Sequence, residues 1–156
     1  MRAILLFVFG LTLPAIAQPP VDYPSAYRDW THVKSMVIEA GHPLHAAFGG
    51  IHHLYANPLA MQGYRDGGAF PDGAVIVFDL LESQRADNAL TEGQRKVLGV
   101  MRKNSMTYAK TGGWGFEGFA GGDPAQPVVG AAAAEACFAC HTARRDADYV
   151  FSAWRD

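Results

Sequence analysis

The sequence predicts an α+β fold: a central antiparallel β-sheet with flanking helices and a C-terminal helix that carries two cysteines. Three observations point there. The run from Ala74 to Leu81 is rich in β-branched residues and follows the turn signal Phe70-Pro71-Asp72-Gly73, so it reads as a strand buried on both faces over part of its length. Thr111 to Phe119 alternates aromatic residues with glycine and reads as another strand. Ala131 to Cys137 is alanine-rich and reads as a helix leading straight into the cysteines. An all-helical arrangement is the alternative, and the strands at 74–81 and 113–119 argue against it.

The remaining elements follow in chain order. Met1 to Ala17 has Arg2 near its start, an apolar run from Ala3 to Leu13, and the small-x-small site Ala15-Ile16-Ala17. That is the pattern of a secretory signal peptide, and it leaves residues 18–156 as one expected domain. Residues 18–26 are proline-rich and read as an irregular lead-in. Tyr27 to Glu39 places Val33, Met36 and Val37 at helical spacing after Ser25, and reads as a helix running into a strand. Gly49 to Tyr55 alternates like a strand and ends at Asn57-Pro58. Leu59 to Tyr64 then reads as a short helix, with Pro58 at its first position and Asn57 as its cap. Gln84 to Gln94 is polar and reads as a surface loop; residues 120–130 form a Gly/Pro loop.

Composition excludes several functions. Removing the leader takes away Arg2 and leaves 12 basic residues against 15 acidic ones. Nothing in that balance suggests nucleic acid or an anionic membrane surface. No later stretch is long and apolar enough to cross a bilayer, so no membrane association is expected after leader removal.

The chain has 2 cysteines, and they stand three positions apart. A disulfide between them would staple almost no loop, so a structural bridge makes little sense. Cys137-Phe138-Ala139-Cys140-His141 is C-x-x-C-H, the attachment signature of haem c. On one helical turn the two thiols can form thioethers to the two vinyl groups on one porphyrin edge. His141 then lies under the iron as its metal ligand. One covalent haem c per chain is the expectation. A redox dithiol and half a zinc site are the competing readings; the first normally follows a β-strand, and the second lacks a further Cys pair. Arg145 lies four residues after His141 and, if the helix continues, shares its face and can reach a haem propionate. A solvated place in the run Arg144-Arg145-Asp146 is the bland alternative.

The other side of the iron decides function. A strong sixth ligand gives an electron-transfer protein, and an open position gives gas binding or catalysis. The residue types that qualify are Met36, Met61, Met101, Met106, His42, His45, His52 and His53. His52 and His53 sit on an alternating strand, so one faces inward and one outward.

With these motifs in place, the chain resembles the cytochrome P-460 / cytochrome c′-β family. The matching segments are Tyr27-Arg28-Asp29-Trp30, Tyr55-Ala56-Asn57-Pro58, Phe70 to Val77, Gly113-Trp114-Gly115-Phe116, Cys137 to His141, and Asp148-Tyr149-Val150-Phe151. The resemblance implies a sheet-rich haem fold, a homodimer, a periplasmic address and a five-coordinate iron. One branch of the family oxidises hydroxylamine and carries a Lys that cross-links to the porphyrin, with a pocket Glu further on. Here the Lys position corresponds to Phe78. The Glu position falls near Leu98-Gly99, and no carboxylate lies between Gln94 and Asn104. The chain is more similar to the cytochrome c′-β branch, whose distal pocket is capped by two Phe residues; Phe78 and Phe48 correspond to them. The resemblance therefore implies a dry pocket that takes small uncharged gases, NO and CO, as partners. A six-coordinate electron carrier and a hydroxylamine-oxidising enzyme are the alternatives; the residues name no redox partner.

Overall fold

The computed structural model describes residues 18–155, so the leader expected at Met1 to Ala17 lies outside the described residues. Five strands form one antiparallel sheet in sequence order: β1 (Thr31–Ile38), β2 (Gly50–Ala56), β3 (Val75–Ala86), β4 (Ala89–Lys103) and β5 (Trp114–Ala120). Each strand pairs with the next, so the expected α+β architecture with its central antiparallel sheet is what the chain adopts. Three short α-helices flank it: α1 (His45–Phe48), α2 (Pro58–Arg65) and α3 (Ala139–His141). Among the described residues no helix is long and apolar enough to cross a membrane.

Local chemistry explains most of these boundaries. Helix α2 begins as the sequence requires: Pro58 fills the first turn, and the Asn57 side chain accepts from the Ala60 amide at 2.8 Å. The same Asn57 oxygen accepts from the Val75 amide at 3.0 Å, so this cap also ties the helix to β3. Two expectations change. The Tyr27–Glu39 segment is helical only over a 3-10 turn at Tyr27–Asp29; Val33, Met36 and Val37 lie in β1, paired to β2. Strand pairing overrides a weak helical spacing made mostly of β-branched residues. The polar stretch Gln84–Gln94 is no loop but the end of a long hairpin, closed at Asp87-Asn88 with φ of 50° and 61°. Asp and Asn tolerate that left-handed geometry, which is what a two-residue hairpin turn needs.

The sheet has a different core on each face. On one face Val77, Leu98, Val100 and Phe119 pack with Val21, Tyr27 and Tyr108. Asp79 is 1% exposed there, and Tyr27 and Arg95 satisfy its carboxylate at 2.8 and 2.6 Å. On the other face Ala56, Ile76, Trp114 and Phe116 pack with α2 and the C-terminal segment, including Ala133 and Val150. This second face positions the cysteines.

Candidate haem site

Strand register sorts the second face into cross-strand rows. Ala56, Ile76, Met101 and Phe116 form one row. The next row is Leu54, Phe78, Gly99 and Gly118, and the third is His52, Leu80, Val97 and Ala120. Phe78 therefore stands directly across from Gly99, while Leu98 points to the opposite face, where it is fully buried. The three atoms nearest to a Cβ built at Gly99 all belong to Phe78, in ordinary contact from 3.5 Å. The position facing Phe78 thus carries no side chain at all.

The cysteines approach this face from a compound helical segment. A π-helical turn at Ala134–Phe138 leads into α3, and a 3-10 stretch at Thr142–Ala147 follows. Cys137 packs against the core cluster, Cys140 is exposed, and both thiols are free. Burial, with the Glu117 carboxylate as a lesser cause, pushes the Cys137 thiol up to about 11. A thiol held protonated in this way is the opposite of the activated thiolate of a redox dithiol. Among the described residues no group of three His, Cys, Asp or Glu is placed to hold a metal ion.

His141 sits between Phe116 and Phe151, with both ring centroids 5.0 Å from its own. Its Nδ1 donates to the Tyr149 carbonyl at 2.7 Å. A carbonyl can only accept, so the ring carries its proton on Nδ1 and its lone pair on Nε2. That is the tautomer and the outer hydrogen bond of an iron-ligating histidine. Burial holds this imidazole below its usual pKa, which keeps it neutral and able to ligate. The Tyr149 carbonyl is fixed in turn. Asp148 and Tyr149 adopt left-handed φ of 49° and 65°. The Asp148 carboxylate accepts from Lys103 Nζ at 2.6 Å and from the Phe70 amide at 3.0 Å, and its carbonyl accepts from Trp114 Nε1 at 2.8 Å. Gly112 makes room for the Tyr149 ring: any Cβ there would collide with it.

These residues fit a covalent haem. Two free thiols lie on one turn beside an imidazole with a committed Nδ1, next to a sheet face whose neighbouring row is lowered by Gly99. On that face the structure brings Phe48 and Phe78 together, with ring centroids 5.8 Å apart and an edge-to-face angle of 85°. Phe48 ends α1 and is 41% exposed. His52 is the inward member of its pair at 2% exposure, with its ring 4.7 Å from that of Phe78. His53 faces the other side, bonded to Ser35 at 2.6 Å and to Glu92 at 2.9 Å.

The other sixth-ligand candidates separate by exposure. Met36 and Met106 are 50% and 88% exposed, His42 and His45 are exposed, and Met61 and Met101 pack with the core cluster. The regular helix that would bring Arg145 onto the His141 face does not form. The segment tightens to 3-10 geometry and Arg144 leaves helical space at φ −116°, ψ 31°. Arg145 is exposed, and it is Arg144 whose Nε is buried, without a hydrogen-bond partner.

Sequence reasoning missed three parts of this arrangement: the Tyr149 carbonyl, Arg144 and the placement of His52. Two concavities, of about 440 and 660 Å³, do not include Cys137, His141 or Phe78; the first is a polar groove on the Asp79 face and the second lies under the N-terminal segment. Searching curated proteins gives no match. Residues 24–152 match the family described as Cytochrome P460, a span that runs from the lead-in past the C-x-x-C-H segment. With that span and this haem-compatible geometry, the chain belongs to the cytochrome P460 family.

Proposed function

We propose that this chain is a periplasmic mono-haem c-type cytochrome that keeps its sixth iron position open for small uncharged gases, NO and CO. Cys137 and Cys140 would hold the porphyrin by thioethers, and His141 Nε2 would ligate the iron. Haem iron in such a site supplies reversible binding of a diatomic ligand at its free position. Every other contribution comes from the chain. Tyr149 orients His141, and Lys103 with Asp148 holds Tyr149. Phe48 and Phe78 are assigned to the distal side, as in the cytochrome c′-β branch.

The observation that carries this reading is the cross-strand pair Phe78 and Gly99. Phe78 occupies the position of the cross-linking Lys, and Gly99 shares its face, where a carboxylate would be needed as proton acceptor. A phenyl ring neither ligates iron nor donates a strong hydrogen bond, so bound O₂, which carries negative charge, gains nothing here, whereas NO and CO need no donor. Exposed Met36 and Val37 on edge strand β1 support the expected homodimer. The leader supports export, and the biological task of the bound gas is assigned to NO handling.

Stopped-flow CO binding to the ferrous protein tests the distal assignment. Truncating Phe78 to Ala removes packing contacts that an entering ligand must otherwise displace, so association should be faster than in the wild type. Phe48→Ala should act in the same direction. Unchanged rates in both variants would place the rings away from the iron and overturn the reading.

A further inference from the structure

His52 has no part in the gas-binding reading, yet its surroundings are unusual. It lies on the same sheet face as Phe78, one cross-strand row away, at 2% exposure. Its Nε2 is buried with no hydrogen-bond partner. An orphaned buried nitrogen is costly and rare in folded proteins, so it calls for a physical explanation. In the Nδ1–H tautomer the lone pair sits on that unpartnered Nε2. Burial lowers the pKa of the ring and keeps that lone pair free. His53, the neighbouring titratable group, is turned to the other face and tied to Glu92 and Ser35. His52 thus lies against one of the proposed distal phenylalanines, its ring centroid 4.7 Å from that of Phe78.

We propose that His52 is a proton acceptor set beside Phe78, serving small protic ligands that must lose a proton to bind the iron. The assignment rests on the open sixth position argued above. Hydrogen cyanide is the simplest probe of this class. It arrives neutral; its H–C bond would break, the proton would form an N–H bond at Nε2, and the carbon would keep the electron pair with which cyanide ligates a ferric haem. Charge and atoms balance with no further reactant. Carbon monoxide carries no proton, so the same residue offers it nothing.

The test compares cyanide association to the ferric protein with CO association to the ferrous protein, in wild type, His52→Gln and His52→Leu. His52→Gln keeps a polar side chain of similar reach but cannot accept a proton at neutral pH, so it guards against a packing artefact of the Leu variant. Both variants should lose roughly 100-fold in the cyanide rate, the ordinary scale for removing a general base. Their CO rates should stay within about threefold, because no proton moves. Cyanide rates equal to wild type in both variants would overturn the assignment of His52 alone. Parallel losses in the cyanide and CO rates would reduce His52 to a packing residue. A wild-type protein that binds neither ligand would overturn the open-position reading itself, and this inference with it.

Discussion

His141 and Tyr149 are joined by a single hydrogen bond, 2.7 Å from ring nitrogen to backbone carbonyl, and that bond fixes which nitrogen of His141 is free to ligate. The carbonyl is held from behind by a chain of contacts that leads back to the sheet: Asp148 to Lys103 at 2.6 Å, and Asp148 to Trp114 at 2.8 Å. The proposed proximal ligand is therefore oriented by β4 and β5 as much as by its own short helix.

Disturbing that support should be felt at the haem. Asp148→Asn keeps an acceptor for the Phe70 amide and tolerates the left-handed backbone, but it removes the charge that pairs with Lys103, which is only 8% exposed. Breaking a largely buried pair from one side should cost about 2–4 kcal/mol, less than for a fully dry pair. Gly112→Ala adds a Cβ into the Tyr149 ring at a φ of +66°, so it should destabilise the fold and shift the haem midpoint potential through His141. Urea unfolding and a redox titration check both variants; unchanged potentials would remove Tyr149 from the role given to it.

A pH effect follows from His52. Burial lowers its pKa below the ordinary 6.5, so the folded state resists a proton that the unfolded chain accepts. Stability from this group is present above pH 6.5 and is lost as pH falls through that value toward the folded pKa. His141 shares the direction, so the diagnostic is a difference. The drop in unfolding free energy between pH 7.5 and pH 5, both chosen to bracket roughly that ordinary value, should be smaller in His52→Gln than in wild type. Equal drops would mean that His52 takes up a proton in the folded protein as readily as in the unfolded chain.

Covalent attachment has its own test. Expressed with the cytochrome c maturation machinery, the protein should gain the mass of one haem and keep it through acid–acetone extraction. Cys137→Ala with Cys140→Ala should abolish the gain. Extractable haem in the wild type would contradict the thioether assignment.

The parts of this site that are legible in the sequence are the parts whose chemistry is local. C-x-x-C-H needs only the spacing of one helical turn, and Asn57-Pro58 needs only a cap and a first position. The two faces of His52 and His53 follow from alternation, but which of them turns inward depends on register against β1 and β3, which no single strand displays. Arg144 replaced Arg145 on the buried side because the segment tightens after His141, a departure that local composition does not announce. The hairpin at 84–94 was hidden because both of its faces are wet there, so polar residues occupy positions that elsewhere would alternate. The Phe48 and Phe78 assignments come from the family resemblance; one Phe on a strand and another closing a short helix carry no signal of their own.

An iron with one protein ligand and an open sixth position has a distinctive optical spectrum, which the purified ferric and ferrous forms will show. High-spin, five-coordinate bands are expected in both states, without a sharp α-band in the ferrous form until NO or CO is added. A six-coordinate low-spin spectrum with a sharp α-band and no added ligand would contradict the open position and make the protein an electron carrier.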